Sequence, residues 1–208
     1  TPLMAYELGK IFEEVGLPEG VVNIVFGSGS TVGTALIEHP DVKVISFTGS
    51  NETGRKVAEL GGRHLKKVSL EMGGKNAIIV MDDADLNLAV EGILWSAFGT
   101  TGQRCTACSR VIVHKNVKNE LEERLVAALS NLTIGNGLDP DVKVGPVINR
   151  AALEKIYHYV QIGKNEGARL LTGGEIITTP PYNQGFFFEP TIFTDVKPDM
   201  TIAQEELF

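Results

Sequence analysis

Short β-branched runs alternate with segments of helical period along this chain, and that alternation restricts its fold more than any other feature. Residues 2–16 carry apolar side chains at helical spacing (Leu3, Leu8, Ile11, Phe12, Val15) and end at Gly16 and Pro18, a C-terminal stop. VVNIVF, 21–26, reads as a short buried strand, and 31–39 as a helix with Pro40 beyond it. KVISF, 43–47, is a further strand, followed by Thr48-Gly49-Ser50 and a helix over 51–60. Strands over 66–72 and 76–81 flank Gly73-Gly74. Strand–helix–strand order requires crossover connections, which predicts an α/β fold with a mostly parallel sheet.

After Gly74 the pattern restarts. Asp83 or Asp85 is placed to cap a helix reaching Phe98, and a strand over 110–114 precedes a helix over 117–130. A polar loop, 134–147, leads to a helix over 149–166. GARLLTGG then gives a strand and turn, and FFFEPTIF, 186–193, an apolar strand interrupted by Pro190. No repeat or low-complexity tract is present. The glycine pair separates the two blocks, so the domains are set at residues 1–72 and 73–208.

With 43% hydrophobic residues the 208-residue chain has a globular composition, and its net charge of −7 argues against nucleic-acid or anionic-membrane surfaces. No apolar run approaches the roughly 18 residues of a membrane span. Glu7, Lys10, Glu13 and Glu14 break up any signal-peptide pattern. Two cysteines do not make a disulfide scaffold, so a reducing, cytoplasmic setting is expected. The opening Thr1-Pro2 and the closing Glu205-Glu206-Leu207-Phe208 read as the ends of a piece of something longer.

Both cysteines lie in GTTGQRCTACSR, 99–110. Cys105-Thr106-Ala107-Cys108 matches a C-x-x-C pair, but the preceding strands do not follow thioredoxin order. A zinc site needs two more ligands, and His39, His64, His114 and His158 are scattered without paired spacing, so no metal is expected. A Cys–His hydrolase has no local signature here. An inert buried thiol suits Cys108 better than Cys105, which follows Gly102-Gln103-Arg104 in a loop able to present a thiol and a backbone N–H together.

Two glycine loops are candidates for a cofactor. Gly27-Ser28-Gly29-Ser30-Thr31-Val32-Gly33 sits between a strand and a helix but is one residue too long for G-x-G-x-x-G. Gly49-Ser50-Asn51-Glu52-Thr53-Gly54 also enters a helix, whose N-terminus suits a phosphate; ordinary tight turns are the plainer alternative for both. Glu71, at the end of an apolar strand beside glycines, suits a general base with a burial-raised pKa, or a solvated carboxylate paired with Lys75.

Together, Phe47-Thr48-Gly49-Ser50-x-x-x-Gly54, Leu70-Glu71-Met72-Gly73-Gly74-Lys75, Gly102-Gln103-x-Cys105 and Glu205-Glu206-Leu207-Phe208 closely resemble the aldehyde dehydrogenase superfamily, in its order and at its separations over the whole chain. The resemblance implies part of a Rossmann-type parallel-sheet cofactor domain in 1–72, followed by most of an α/β catalytic domain in 73–208. It implies that Cys105 is the nucleophile and Cys108 a variable position. The thiolate adds to an aldehyde, a backbone N–H and an Asn side chain hold the oxyanion, hydride passes to NAD or NADP, and water activated by Glu71 releases the acid. Gly49, Ser50 and Gly54 would lie at the cofactor phosphates, Gly29 and Gly33 near the adenosine end, and Glu206 and Phe208 near the nicotinamide, with Phe47 part of the same cofactor motif.

A glutamate at position 71 favours hydrolysis over acyl transfer to coenzyme A. By the same resemblance the oxyanion Asn and the ribose-binding Lys lie upstream and an oligomerising hairpin downstream, so the parent is expected to be a homodimer or homotetramer and this chain alone to turn over little or nothing. Two rivals stand beside this reading: a non-catalytic, crystallin-like member of the fold, and a thiol–disulfide protein using Cys105 and Cys108. For the substrate, Arg104 would favour a carboxylated aldehyde if it faces the site; alternatively it turns away onto neighbouring backbone.

Overall fold

A computed structural model describes residues 2–208. It divides into two compact units, one ending at Met72 and the other spanning Gly73–Phe208.

The first unit contains helices α1 (Pro2–Glu14), α2 (Thr34–Glu38) and α3 (Asn51–Arg63), with strands β1 (Val44–Gly49) and β2 (Lys67–Met72). β1 and β2 pair in parallel, Phe47 opposite Leu70 and Thr48 opposite Glu71. Their side chains alternate, so that Ile45, Phe47, Val68, Leu70 and Met72 turn inward. α3 crosses between them as the expected connection and buries Gly54, Val57 and Gly61. Its ends are well specified: Ser50 Oγ accepts from Thr53 N at 3.2 Å, Glu52 lies in the first turn and Arg63 in the last, matching the helix dipole.

The strand expected over 21–26 does not form. Val21, Val22, Ile24, Val25 and Phe26 are exposed, and no strand among the described residues pairs with them. β-branched content supplies propensity, but a strand exists only where a neighbour takes its backbone hydrogen bonds. The loop that follows is therefore not a strand-to-helix turn. Gly29–Gly33 makes one π turn that runs directly into α2.

The second unit opens with β3 (Ala77–Val80) and β4 (Arg110–Val113), a parallel pair joined through α4 (Leu86–Phe98), with α5 (Lys118–Leu129) packed on α4. Asp85 is the residue that caps α4, accepting from Asn87 N at 2.9 Å and Leu88 N at 3.3 Å. Val80, Ile93, Leu121 and Leu125 form the core beneath this pair. Beyond it lie α6 (Arg150–Asn165), β5 (Arg169–Thr172), β6 (Ile176–Ile177), β7 (Phe187–Phe188), β8 (Ile192–Thr194) and α7 (Thr201–Gln204). Here the pairing turns antiparallel, β5 with β8 and β6 with β7, so Pro190 separates two short strands where one was expected. Among the described residues parallel pairing consists of two separate strand pairs and an isolated bridge between Ile134 and Val144.

Among the described residues no helix is long and apolar enough to cross a membrane.

Candidate active site

Cys105 stands exposed on the loop between α4 and β4. The loop begins with an unusual backbone. Thr100 at φ +51°, Thr101 at φ +58° and Gly102 at φ +69° follow one another through the left-handed region. Two β-branched residues there are costly, of order 1–3 kcal/mol each, and such strain survives only where surrounding bonds over-determine it. Those bonds are present: Thr101 Oγ1 donates to the Gly145 carbonyl at 3.2 Å, and the Ile148 N–H donates to Gln103 Oε1 at 3.0 Å.

Arg104 turns away from the loop's exposed side. Its Nη2 donates to the carbonyls of Trp95 at 3.0 Å and Ser96 at 3.3 Å, and the guanidinium stacks 4.2 Å from the centre of the Trp95 ring. Of the two orientations left open by the sequence, backbone binding is the one observed.

Cys108 is buried. Its N–H donates to Ser96 Oγ at 3.0 Å and its thiol to the Arg110 carbonyl at 3.2 Å, and burial pushes the thiol's pKa up. A protonated, enclosed thiol is a poor nucleophile. Between the cysteines, Ala107 N donates to the Arg104 carbonyl, whereas the N–H groups of Cys105 and Thr106 find no protein acceptor among the described residues.

The residue that organises this loop is Asn76, immediately before β3. Its Nδ2 donates to the Cys105 carbonyl at 2.6 Å and the Ala107 carbonyl at 3.1 Å. Its own carbonyl accepts from Ser109 N at 3.2 Å, Arg110 N at 3.1 Å and Ser109 Oγ at 3.1 Å. Arg110 extends the network, its guanidinium bonding the Lys75 carbonyl and, at 3.3 Å, the Ala203 carbonyl of α7. Neither residue was among those the sequence nominated. The available signal was Asn76 itself, a residue poorly suited to strands standing at the entrance to an apolar one.

Glu206 belongs to the same neighbourhood. A Cβ built on Gly73 would stand 1.8 Å from Glu206 Oε1, so the carboxylate lies directly over that glycine. The segment carrying Glu206 and Phe208 is tied down by Tyr159, whose hydroxyl bonds Glu205, and by Glu166, which accepts from Thr201 N at 2.8 Å. Lys75, half-buried, has its pKa lowered to about 8, first by burial and then by Arg110, with Glu206 and Glu205 opposing. A cavity of about 980 Å³ in this unit is lined in part by Lys75, Asn76, Arg110, Glu206 and Phe208; Cys105 is not among its lining residues. Phe208 is exposed.

The remaining candidates lie in the first unit. Glu71 is exposed within its own unit, on the face of β2 opposite Leu70 and Met72, the solvated one of the two readings left open for it. Gly49 and Ser50 are exposed at the N-terminus of α3, a 13-residue helix whose dipole and first N–H groups suit a phosphate. Gly54 faces inward, where a Cβ would meet Met72 Sδ at 2.3 Å and Phe47 Cε1 at 3.7 Å, so helix–strand packing accounts for that glycine and for the half-buried Phe47. Gly29 is exposed and Gly33 half-buried in the turn before α2. No cluster of three or more His, Cys, Asp or Glu side chains among the described residues is placed to hold a metal.

A sequence model of the aldehyde dehydrogenase family matches residues 1–208. The chain is 47% identical to 1-pyrroline-5-carboxylate dehydrogenase 1 of Halalkalibacterium halodurans, over all of this chain and 41% of that protein. It is 46% identical to betaine aldehyde dehydrogenase of Brucella anthropi, again over its whole length and 42% of that protein. Betaine aldehyde dehydrogenase of Staphylococcus aureus, solved in complex with NAD+, superposes with a TM-score of 0.96 at 38% identity, covering all of this chain and 41% of that one. The chain thus spans about two fifths of the length of the relatives it matches.

Proposed function

Because the chain belongs to the aldehyde dehydrogenase family, we propose that its parent protein oxidises a small aldehyde to a carboxylic acid with NAD or NADP, and that Cys105 is the nucleophile. One observation carries the assignment of the thiol: of the two cysteines, Cys105 is exposed beside free backbone N–H groups, whereas Cys108 is enclosed with its pKa raised. The Cys105 thiolate forms a carbon–sulfur bond to the aldehyde carbon, giving a thiohemiacetal whose oxyanion can accept from the Cys105 N–H. The dinucleotide, when bound, supplies the two-electron acceptor that turns the thiohemiacetal into a thioester. Glu71 then takes a proton from water, the resulting hydroxide attacks the thioester, and the acid leaves as the thiolate returns.

The residues present suit a dinucleotide. The α3 N-terminus at Gly49-Ser50 can take a phosphate, and the Glu206 carboxylate, held on Gly73, can accept from a ribose hydroxyl. Residues 1–72 are assigned to the cofactor domain and 73–208 to the catalytic domain, both incomplete relative to the family. The same proposal places the parent in the cytoplasm as a homodimer or homotetramer. A redox pair of Cys105 and Cys108 is disfavoured by the buried Cys108 thiol.

The test is NAD(P)H formation by the full-length parent with simple and carboxylated aldehydes. Activity is expected to vanish in Cys105→Ala and to survive in Cys108→Ala. Equal loss in both variants favours the redox pair, and no turnover by a natively folded wild type rejects the enzymatic reading.

A further inference from the structure

We propose that Asn76 is a positioning residue for the nucleophile, fixing the Cys105–Thr106 peptide of the loop so that the free Thr106 N–H faces the reacting side. The inference rests on the assignment of Cys105 above. Asn76 Nδ2 has two hydrogens and spends both on carbonyls of this one loop, those of Cys105 and Ala107. In a trans peptide the C=O and N–H point in opposite directions. Drawing the Cys105 carbonyl towards Asn76 therefore turns the Thr106 N–H to the opposite side of the loop. The Ala107 N–H is already occupied by the Arg104 carbonyl, so Cys105 and Thr106 hold the loop's free donors. Those donors can act on a thiolate or an oxyanion without reorganising when charge develops.

The anchor is itself rigid. Register pairs Ala77 with Arg110, which sets Asn76 beside Ser109, and three bonds to the Asn76 carbonyl fix it there. Arg110 bonds the carbonyl of the preceding residue, Lys75, and also that of Ala203. The Cys105 loop, the Gly73–Lys75 segment and α7 thus converge on two adjacent side chains. None of these bonds requires Asn76 to touch substrate.

The test compares Asn76→Asp and Asn76→Ala in the full-length parent, reading kcat, KM, melting temperature and the rate of Cys105 alkylation by iodoacetamide in a Cys108→Ala background. A misplaced nucleophile costs up to about 100-fold in rate, so kcat is expected to fall about 10- to 100-fold while KM for the aldehyde stays within about threefold. Aspartate keeps the shape but sets an acceptor against two carbonyls, so it should be the worse of the two in both kcat and alkylation rate. A space-filling role predicts the reverse order, aspartate near wild type and alanine worse, and that order overturns the proposal. So does a kcat within twofold of wild type in either variant. If Asn76→Asp does not fold, Asn76→Ser replaces it, neutral and too short to reach both carbonyls, with the same loss expected and an unchanged kcat decisive against. Alkylation reports on the loop without any turnover: slowed alkylation in a protein that oxidises no aldehyde would sink the proposed function and leave the role of Asn76 standing.

Discussion

If Glu206 holds a cofactor ribose as proposed, replacing Gly73 with alanine separates that contact from the fold. The new Cβ would lie 1.8 Å from Glu206 Oε1, 2.5 Å from Cδ and 2.6 Å from Oε2. Ordinary contact begins near 3.4 Å, so the carboxylate must retreat by about 1.6 Å. The Gly73 backbone is not in the left-handed region, so alanine is otherwise allowed there. Glu206 ends in a flexible side chain, and moving it disturbs no core cluster, so the expected stability cost is below about 1 kcal/mol. Cofactor affinity is different. A hydrogen bond to a charged acceptor contributes about 1.5–3 kcal/mol, and a displacement of this size removes it. Kd for the dinucleotide should therefore rise about 10- to 100-fold, read by isothermal titration calorimetry on the full-length parent. In a Glu206→Ala background the contact is already gone, and Gly73→Ala should add nothing. An unchanged Kd in the single variant, or a full additional loss in the double variant, would refute the reasoning.

Two further outcomes follow from the same unit. Gly102→Ala forces a Cβ to 2.6 Å from the backbone carbonyl oxygen of Ala97 at φ +69°; left-handed strain and a clash that no side chain can relieve together cost about 2–4 kcal/mol, seen as a lowered urea midpoint. A change under about 0.5 kcal/mol would contradict it. Lys75→Met should stabilise the protein at neutral pH, because Lys75 is held at about 8 against an ordinary 10.5. The native state then binds fewer protons than the unfolded chain between those values, so wild-type stability rises over that range and the gap to Lys75→Met closes from pH 8 to 10.5. Denaturation curves at pH 7 and 10 with a constant gap would show that Lys75 is not so perturbed.

The sequence made the helices and most strands legible because their signals are local. Ser50, Asp85 and Asn149 cap helices where the pattern begins, and alternation along 67–72 marks the inward face of β2. Residues 21–26 misled because strand propensity says nothing about a partner. The same limit hid Asn76. It lies 29 residues from Cys105, and only the parallel register of β3 with β4 brings the two together across the α4 crossover. For Glu71 the sequence left burial and solvation open, and alternation along β2, which turns every second residue outward, accounts for its exposure within this unit.

Strain and bonding around Cys105 answer one another. Three successive left-handed residues would by themselves favour relaxation of the loop, since Thr100 and Thr101 each stand in a region that β-branched side chains avoid. Bonds hold the loop from several sides: Thr101 to the Gly145 carbonyl, Gln103 from Ile148 N, Arg104 to the Trp95 carbonyl, and Asn76 to the Cys105 and Ala107 carbonyls. Each contributes on the order of 1 kcal/mol net, so together they are comparable with the strain they oppose. Removing one anchor therefore shifts the balance for the whole loop, which is why its substitutions should couple rather than add. A thiol carried on such a loop is exposed without being free to wander, and that combination is what attack on a carbonyl at a fixed distance requires.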